Sequence, residues 1–378
     1  ARGTRRASSY WGLKGMGPGH YLVAARRLGA VTGGATGTGF GTMGTIGVAL
    51  LGVGAAMGYP AGMTVGAIVS GAYFGDKMSP VSDSTNITAS ICEVPLFSHI
   101  LSMLWTTLPA LAVAGVIYVV LGGMHAGAQN ASLDSLQVIL SSLEGSYSLS
   151  WYALLPPVLM IALAYLRFPV LPIMFLCVVT ALAIAVFEGQ ELGKLAGYLT
   201  SGYTATTADT ALNTLLSRGG ILSIMPTVLL LCSGVAFGGV LEKARVFEVL
   251  LGAILKGARS AVRLVFSVLV SAYIILLGTG SQMLAVIVPG RAFLQPFKDA
   301  DLHARVLSRT CEDSGTIGCP LVPWSVHAFY IMGVLGVSAY EFVPYAFLNW
   351  MVPIFSILCA LTGIGIWRTD GSSVRSKA

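Results

Sequence analysis

Nine apolar runs dominate this sequence, and most of them reach the ~20 residues that a helix needs to cross a bilayer. The runs lie near residues 36–57, 62–75, 103–122, 151–166, 169–187, 221–240, 261–289, 314–336 and 344–367. Only 10% of the residues are charged, compared with about 25% in a typical soluble domain. Because hydrocarbon offers no partners to backbone N–H and C=O groups, each run is expected to form a helix. The sequence therefore predicts an all-α, polytopic helical membrane protein.

The positive charge of the chain is concentrated at its beginning. The formal net charge is +6, and no Asp or Glu precedes Asp76. A basic segment beside apolar runs is typical of a cytoplasmic arm that faces lipid, so we expect contact with the lipid bilayer and none with nucleic acid. The basic residues of this arm are Arg2, Arg5, Arg6, Lys14, Arg26 and Arg27.

Two polar islands interrupt the apolar sequence, one in each half of the chain. The first, residues 71–86, reads GAYFGDKMSPVSDSTN, and the second, residues 308–325, reads SRTCEDSGTIGCPLVPWS. Ionisable groups at membrane depth are costly and usually line an ion or substrate pathway. Polar islands at matching positions of two halves are typical of secondary transporters with inverted-topology repeats, discontinuous helices and re-entrant segments.

A short cluster of Thr and Gly precedes each island and aligns the two halves. Thr36-Gly37-Thr38-Gly39 comes before the first island, and Leu277-Gly278-Thr279-Gly280 comes before the second. Such a cluster can expose backbone carbonyl groups at a break in a helix, as at a cation site. It can equally form a packing seam of small residues, and the sequence leaves both interpretations open.

These features predict five segments along the chain. Residues 1–33 are an unmatched basic stretch, 34–125 the first repeat, 126–259 the central spans and connectors, 260–336 the second repeat, and 337–378 the last span with a cytoplasmic tail. Around residues 62–90 and 291–325, re-entrant hairpins and full spans look alike in the sequence.

Both islands supply the oxygen ligands that hard cations such as sodium prefer. Pro80 and Pro320 interrupt regular helix and free further backbone carbonyl groups. The candidate ion ligands are Asp76, Ser82, Asp83, Thr85, Asn86, Glu312, Asp313, Thr316, Thr38 and Thr279, with sodium placed at Asp76, Asp83 and Asp313.

Three basic residues are candidates for balancing the charge of these carboxylates: Lys77, Arg291 and Arg309. The alternative for Lys77 is an ion pair with Asp76 or Asp83 in a loop outside the membrane. For the arginines we favour a structural role, because a guanidinium group does not release its proton in proteins.

Catalytic and cofactor chemistry has no support in the sequence. Neither a nucleophile–base pair nor a metal-ligand spacing is present, so no enzyme and no cofactor is predicted. The pattern Gly39-x-Gly41-x-x-Gly44 fits a dinucleotide fingerprint only formally, because an apolar run surrounds it. The six cysteines are interpreted as small apolar helix residues, and His99, His303 and His327 as packed or interfacial residues.

The islands and their flanks resemble the NhaC family of sodium/proton antiporters. The segments that carry the resemblance are TGTGFGTMGTIGVALLGVG (36–54), GAYFGDKMSPVSDSTN (71–86), HILSMLWTTLPAL (99–111), SRTCEDSGTIGCPLVPW (308–324) and PYAFLNWMVPIFSILCALTGIGI (344–366). The resemblance implies a helical transporter with inverted repeats that exchanges external protons for internal sodium across a bacterial cytoplasmic membrane. The family carries several spans before TGTGFGT, so the chain is interpreted as an N-terminally incomplete member.

The mechanism expected from the sequence is competition for one site. Asp76 and Asp83, with Asp313 across the repeat interface, would hold either sodium or protons, because the same oxygens cannot bind both at once. The first alternative is a sodium- or proton-coupled exchanger of small carboxylates, such as malate for lactate, with Arg291 or Arg309 binding the substrate bidentately. The second alternative is a truncated, non-transporting remnant. A homodimer is compatible with each of these readings.

Overall fold

In the computed structural model, residues 18–128, 152, 155–165, 170–204, 220–255 and 260–374 are described. Across these ranges the chain folds into helices, as the sequence predicts, and we number them α1 to α16. Their bounds are α1 Tyr21–Thr36, α2 Gly39–Thr42 continuing through Met43–Gly47 and Val48–Ala56, α3 Ala61–Met78, α4 Asp83–Ile91, α5 Leu96–Ala128, α6 Leu155–Tyr165, α7 Val170–Phe187, α8 Leu192–Ser201, α9 Ile221–Lys243, α10 Val246–Leu255, α11 Ala261–Thr279, α12 Gln282–Asp299, α13 Ala304–Cys311 continuing through Glu312–Thr316 and Cys319–Leu321, α14 Val326–Leu335, α15 Ala339–Phe342 continuing into Val343–Tyr345, and α16 Phe347–Thr362.

Several helices have the length and composition of membrane spans. Two described helices are long and apolar enough to cross a membrane, Leu96–His125 within α5 and Ala261–Thr279. The number rises to four if each of two bent pairs is one span: Ala304–Leu321 with Val326–Leu335, bent by 43°, and Ala339–Tyr345 with Phe347–Thr362, bent by 54°. These helices give a multi-pass helical membrane protein. The predicted run 151–166 lies partly outside the described residues.

Two of the predicted runs are broken by the structure. The run 261–289 was expected as one continuous helix, but Gly280, with a φ of 64°, ends α11, and α12 begins at Gln282. The run 314–336 is likewise divided, because residues 322–325 separate the last turn of α13 from α14. Hydropathy does not detect these breaks, because the residues on both sides of each break are apolar.

Helix α1 lies largely within the stretch 1–33, where the sequence predicts no span. Tyr21, Leu22 and Ala25 on this helix are fully buried. The guanidinium group of Arg26 does not prevent burial, because its Nη1 donates to the carbonyl oxygen of Leu111 at 2.6 Å. A charged group can be placed in the interior when it has a hydrogen-bond partner. Arg26 is therefore compatible with a buried helix here, although α1 is not among the described helices that are long and apolar enough to cross a membrane.

The two halves of the chain repeat one local structure at a spacing of 243 residues. Helix α1 is capped by Gly37 (φ 65°) and α11 by Gly280 (φ 64°), both in the left-handed conformation that glycine adopts without strain. In the last turn of each helix a threonine donates to the carbonyl oxygen four residues earlier, at 2.9 Å from Thr36 and 2.8 Å from Thr279. The structure therefore aligns Thr279 with Thr36, whereas the alignment of the Thr/Gly clusters had matched it to Thr38.

The second break of each half obeys the same spacing. Its sequence is Pro80-Val81-Ser82 in the first half and Pro323-Trp324-Ser325 in the second. Gly37 faces Val81 and Ser82, and Gly280 faces Trp324 and Ser325, so closely that a Cβ atom at either glycine would lie within 3 Å of a neighbouring atom. Within each half, the two breaks therefore pack against each other and bring four helix ends together.

Helix α5 and the α15–α16 pair run in opposite directions. Helix α5 begins at Leu96 and α15 begins 243 residues later, so α5 corresponds to the α15–α16 pair. Tyr118 near the end of α5 packs against Phe347 at the start of α16, with ring centroids 5.2 Å apart. At the other end, the Cys359 thiol donates to the carbonyl oxygen of Trp105 at 3.8 Å. Antiparallel equivalents are what inverted-topology repeats require, and they favour that prediction.

The close packing of α1 on α3 gives a prediction about Gly75. A Cβ atom at Gly75 would collide with the backbone of α1 at Gly34 and Ala30, whereas a Cβ atom at Gly34 would lie 3.9 Å from Gly75, an ordinary contact. We expect Gly75→Val to lower the melting temperature of the purified protein, since overpacking costs about 1–3 kcal/mol and backbone atoms cannot move aside as side chains do. Gly34→Ala is the matched control and should melt like the unmodified chain. Equal melting temperatures for the two variants would contradict this account of the α1–α3 contact.

Candidate ion-binding site

The carboxylate of Asp76 is held at a meeting point of helix ends. Asp76 lies in the last turn of α3, just before the first island's break, and is 5% exposed. Its Oδ1 accepts a hydrogen bond from the Ser82 hydroxyl at 2.6 Å, and its Oδ2 accepts one from the backbone N–H of Gly39 at 3.1 Å. Gly39 is the first residue of α2, and the N-terminus of a helix stabilises negative charge. We call this arrangement of Asp76, Gly39 and Ser82 the first cradle.

A buried ion pair joins the first half of the chain to the second. The Nζ of Lys77 donates to Oδ1 of Asp313, and both side chains are completely buried. The same oxygen accepts a hydrogen bond from the Thr106 hydroxyl at 3.0 Å. Asp313 is carried by the π-helical turn Glu312–Thr316, a local widening of the helix that is frequent at functional sites.

Glu312 places a third carboxylate beside this pair. Its Oε1 accepts a hydrogen bond from the Thr88 hydroxyl at 2.7 Å. The negative charge of Glu312 also acts on the carboxylate of Asp76. Oε2 of Glu312 and Oδ2 of Asp313 are buried, with no hydrogen-bond partner among the described residues. An interior carboxylate oxygen without a partner is costly.

We call Asp76, Glu312, Asp313 and Lys77 the acid cluster. Its members come from both polar islands: Lys77 pairs with Asp313, and the charge of Glu312 acts on Asp76. The ion pair of Lys77 is buried and is made with Asp313, so the alternative of a loop pair with Asp76 or Asp83 is wrong.

Three further predicted ligands lie beside the acid cluster and support it. Ser82 is part of the first cradle. The Thr85 hydroxyl donates to the backbone carbonyl oxygen of Lys77 at 3.0 Å, which ties α4 to the end of α3. The Thr316 hydroxyl accepts a hydrogen bond from Nε2 of Gln282 at 2.9 Å and lies next to Glu312 on the π-helical turn.

Four predicted ligands have other positions or roles. Asp83 and Asn86 are exposed on α4, and Nδ2 of Asn86 donates to the backbone of the break at Pro80 and Ser82. Asp83 is therefore not buried with Asp76, although its charge also acts on the Asp76 carboxylate. The other two residues, both threonines, form hydrogen bonds at helix ends. Thr38 caps α2 by accepting from the Phe40 amide at 3.2 Å, and Thr279 donates to the carbonyl oxygen of Ile275.

The two predicted arginines differ in environment. Arg291 is exposed on α12, and no carboxylate pairs with it among the described residues. Arg309 is completely buried, and its Nη1 donates to the carbonyl oxygen of Gly365 at 2.8 Å. Its Nε and Nη2 atoms have no hydrogen-bond partner in the described part of the chain. Asp313 is one of its electrostatic neighbours.

The histidines lie around the cluster as packed residues. Nδ1 of His99 and the Ser308 hydroxyl are hydrogen-bonded at 2.8 Å. Nδ1 of His327 and the Tyr73 hydroxyl form a second bond across the two halves, and Phe40 lies 4.4 Å from the His327 ring. His303 accepts from the Arg305 amide at the start of α13. These positions agree with the packed or interfacial role predicted for each.

Thr88 and Thr106 are the site residues that sequence reasoning misses. Both are uncharged, and neither lies inside a polar island, so nothing in the local pattern separates them from ordinary helix threonines. The partner of Thr88 is 224 residues away and that of Thr106 is 207 residues away. Only the three-dimensional contact identifies them.

The Thr88 hydroxyl gives a second prediction. Thr88→Val removes the hydrogen bond from Thr88 to the buried carboxylate of Glu312. A hydrogen bond to a charged group contributes about 1.5–3 kcal/mol to stability. We expect a corresponding fall in the free energy of unfolding of the purified protein in detergent. Thr88→Ser keeps the hydroxyl and is expected to retain most of the stability. A valine variant as stable as the serine variant would mean that the hydrogen bond contributes little.

The acid cluster lies in the part of the chain that matches a known protein family. A family model described as the Na+/H+ antiporter family matches residues 71–364. The chain is 32% identical to the malate-2H(+)/Na(+)-lactate antiporter of Bacillus subtilis, covering 97% of this chain and 79% of that protein. It is 35% identical to the Na(+)/H(+) antiporter NhaC of Bacillus subtilis, covering 92% and 77% of the two chains. It is 32% identical to the NhaC antiporter of Alkalihalophilus pseudofirmus, covering 97% and 79%.

Proposed function

The chain belongs to the Na+/H+ antiporter family, and we propose that it exchanges sodium for protons through the acid cluster. The observation that carries this proposal is the burial of three carboxylates, from both halves, beside the ion pair of Lys77 with Asp313. Among these carboxylates, Glu312 and Asp313 each keep one oxygen without a hydrogen-bond partner. A cluster with this excess of negative charge is costly in the interior unless a cation or a proton neutralises it.

Exchange follows from competition for the same oxygens. A protonated carboxylate no longer offers a full negative charge to a cation, and a bound sodium ion occupies the lone pairs that a proton would use. Carboxylate, hydroxyl and carbonyl oxygens form the ligand set that suits a hard cation. The first cradle supplies such oxygens at Asp76 and Ser82, and the π-helical turn supplies them at Glu312 and Asp313.

The two halves are suited to move relative to each other at this cluster. Lys77 and Asp313 pair across the halves, and so do Thr88 and Glu312. A cation that binds between the halves would compete with Lys77 for Asp313 and change which of these contacts is made. Binding is then coupled to the arrangement of the halves, as alternating access around a central site requires.

Reconstituted vesicles test the exchange directly. The purified chain would be inserted into liposomes that contain a pH-sensitive dye, and sodium would be added on one side. We expect proton movement in the opposite direction to sodium, and none when potassium replaces sodium. Dye signals that do not differ from those of empty liposomes would reject the proposal and would favour the non-transporting remnant.

A second candidate function is sodium- or proton-coupled exchange of small carboxylates. The buried guanidinium of Arg309 has two nitrogens without a partner, and a planar guanidinium binds a carboxylate bidentately. One relative is named for malate and lactate exchange. Adding malate or lactate to the vesicle assay separates the two candidates. Sodium flux that requires the organic acid, and is lost in Arg309→Gln, favours this one.

We propose a bacterial cytoplasmic membrane as the location. Apolar side chains exposed on the long helix α5 suit contact with lipid, among them Phe97, Leu101, Val116 and Val120. Two of the similar proteins come from the bacteria Bacillus subtilis and Alkalihalophilus pseudofirmus. A homodimer stays a prediction, and the oligomeric state of the detergent-purified chain, measured by light scattering, tests it.

A further inference from the structure

An apolar groove lies on the surface of the protein between α5 and α16. Its volume is about 760 Å³, which is within the usual range for binding sites. Its walls are almost entirely apolar, with Leu101, Trp105 and Leu108 from α5 and Phe355 and Leu358 from α16. Both helices belong to candidate membrane spans, so exposed apolar walls here face lipid hydrocarbon. The groove therefore suits a hydrocarbon chain.

One end of the groove is backed by an arginine. Ile364 lines this end, just beyond the last residue of α16. The ring of Trp105, which also lines the groove, lies edge-on to that of Trp367, with centroids 6.0 Å apart. A Cβ atom at Gly365 would lie 2.9 Å from the Trp105 ring and 3.2 Å from Nη1 of Arg309. The tryptophan that lines the groove and the guanidinium group of Arg309 are therefore separated by a single backbone position.

Two arginines surround Trp367 without a carboxylate partner. The central guanidinium carbon of Arg305 lies 3.9 Å from the centroid of the Trp367 ring, and that of Arg309 lies 5.9 Å from it. Nε of Arg305 and both Nε and Nη2 of Arg309 are buried, with no hydrogen-bond partner in the described ranges. Neither arginine belongs to an ion pair within those ranges. This end of the groove thus has hydrogen-bond donors to spare.

The neighbouring carboxylates are already paired with other cations. Asp301 pairs with Arg368 at 3.0 Å, and Asp313 pairs with Lys77. The two arginines at Trp367 are one turn apart on α13, where like charges repel each other. They also follow closely on the start of this helix at Ala304, and the beginning of a helix is itself positive. A phosphate or carboxylate group would relieve this repulsion and accept the unused hydrogen bonds.

We propose that the groove and the two arginines form a site for one anionic phospholipid. One acyl chain lies between α5 and α16, and the phosphate group binds Arg305 at the Trp367 end. A free anion would leave the apolar groove unfilled, and an uncharged hydrocarbon would leave the arginines unmatched. A zwitterionic headgroup carries its own cation, which the arginines repel. The site is separate from the acid cluster, and the inference does not depend on which ion is exchanged.

Fluorescence quenching by brominated phospholipids tests the proposal. The full chain would be placed in vesicles of equal parts phosphatidylglycerol and phosphatidylcholine, with bromine on the acyl chains of only one of them. Bromine quenches a tryptophan that it touches, and the share of Trp105 is the quenching that is lost in Trp105→Phe. We expect brominated phosphatidylglycerol to quench this share more strongly than brominated phosphatidylcholine. Arg305→Gln should lower the preference about fivefold, the usual contribution of one basic residue at an anionic surface.

Arg27→Gln is the matched control, because Arg27 is exposed on α1 and the variant loses the same charge elsewhere. It should keep the preference, and melting temperatures in detergent report the folding of each variant. If Arg305→Gln does not fold, the comparison of the two brominated lipids in the unmodified chain decides by itself.

Four results would overturn the proposal. The first is equal quenching of the Trp105 share by the two lipids, and the second is a preference that a folded Arg305→Gln chain retains. The third is an equal loss of preference in Arg27→Gln, which would reflect net charge alone. The fourth is a preference that excess inorganic phosphate abolishes and chloride at the same ionic strength does not, which would indicate a site for a free anion.

Discussion

Asp76→Asn abolishes sodium-driven proton movement in reconstituted vesicles, whereas Asp83→Asn leaves the rate close to that of the unmodified chain. This is the expected result because the two carboxylates have opposite surroundings. Asp76 is buried in the first cradle and shares the acid cluster with Glu312. Asp83 is exposed on α4, so its neutralisation removes no buried charge. Asparagine keeps the shape of aspartate but removes the negative charge that a cation and a proton compete for.

The measurement is the initial rate of dye response after a sodium pulse, in vesicles that contain equal amounts of each protein. Melting temperatures of the two variants in detergent serve as a control for folding. A fully active Asp76→Asn chain would remove Asp76 from the ion pathway. A strong loss in Asp83→Asn with normal folding would show that the exposed carboxylate also contributes.

Lys77→Met is expected to destabilise the chain by about 3–5 kcal/mol, because it leaves Asp313 buried without its partner. Both side chains of the pair are completely buried, so no water compensates for the loss. The double variant Lys77→Met with Asp313→Asn removes the unpaired charge and should recover most of the stability. The free energy of unfolding in detergent, measured with a chemical denaturant, reports both changes.

An exposed ion pair of the same chain provides the matched control. Lys298 and Glu93 pair at 2.8 Å, with 44% and 62% of their side chains exposed. Lys298→Met is expected to change the stability by about 0–1 kcal/mol, as is usual for surface pairs. Similar losses in Lys77→Met and Lys298→Met would mean that the buried pair contributes no more than a surface pair.

The general architecture could be predicted from the sequence. Apolar length and low charge fix the all-α membrane class, and the two polar islands do meet in one buried cluster at Asp76, Glu312 and Asp313. These features can be recognised from the composition of long stretches of sequence, because burial in lipid or protein favours apolar residues there. Lys77 forms an ion pair with Asp313, a partner that the sequence does not identify.

The exposure of Asp83 follows from the helix break that Pro80 predicts. Asp76 and Asp83 are seven residues apart, which is about two turns, so a continuous helix would place both on one face. The structure breaks the helix between Met78 and Asp83. Beyond the break Asp83 is exposed, although its charge still acts on Asp76. Sequence spacing predicts a shared face only while the helix is unbroken.

Other features of the structure cannot be read from the sequence because they depend on contacts between distant residues. Arg26 is buried because a carbonyl oxygen on α5 accepts its hydrogen bond, and Thr106 is a site residue because Asp313 lies opposite it. Neither partner can be read from the residues nearby in sequence. The alignment of the two halves of the sequence is a similar case. The left-handed helix caps at Gly37 and Gly280 define this alignment better than the Thr/Gly pattern does.

The π-helical turn at Glu312–Thr316 makes the length of this segment as important as its composition. Consecutive residues of an α-helix point about 100° apart, and the widened turn changes which of them face inward. Deleting a single residue there would rotate everything downstream by roughly a quarter of a turn, carrying Cys319 and the following helix α14 away from their partners. Insertions and deletions in this segment should therefore be far less tolerated than single substitutions on its outer side.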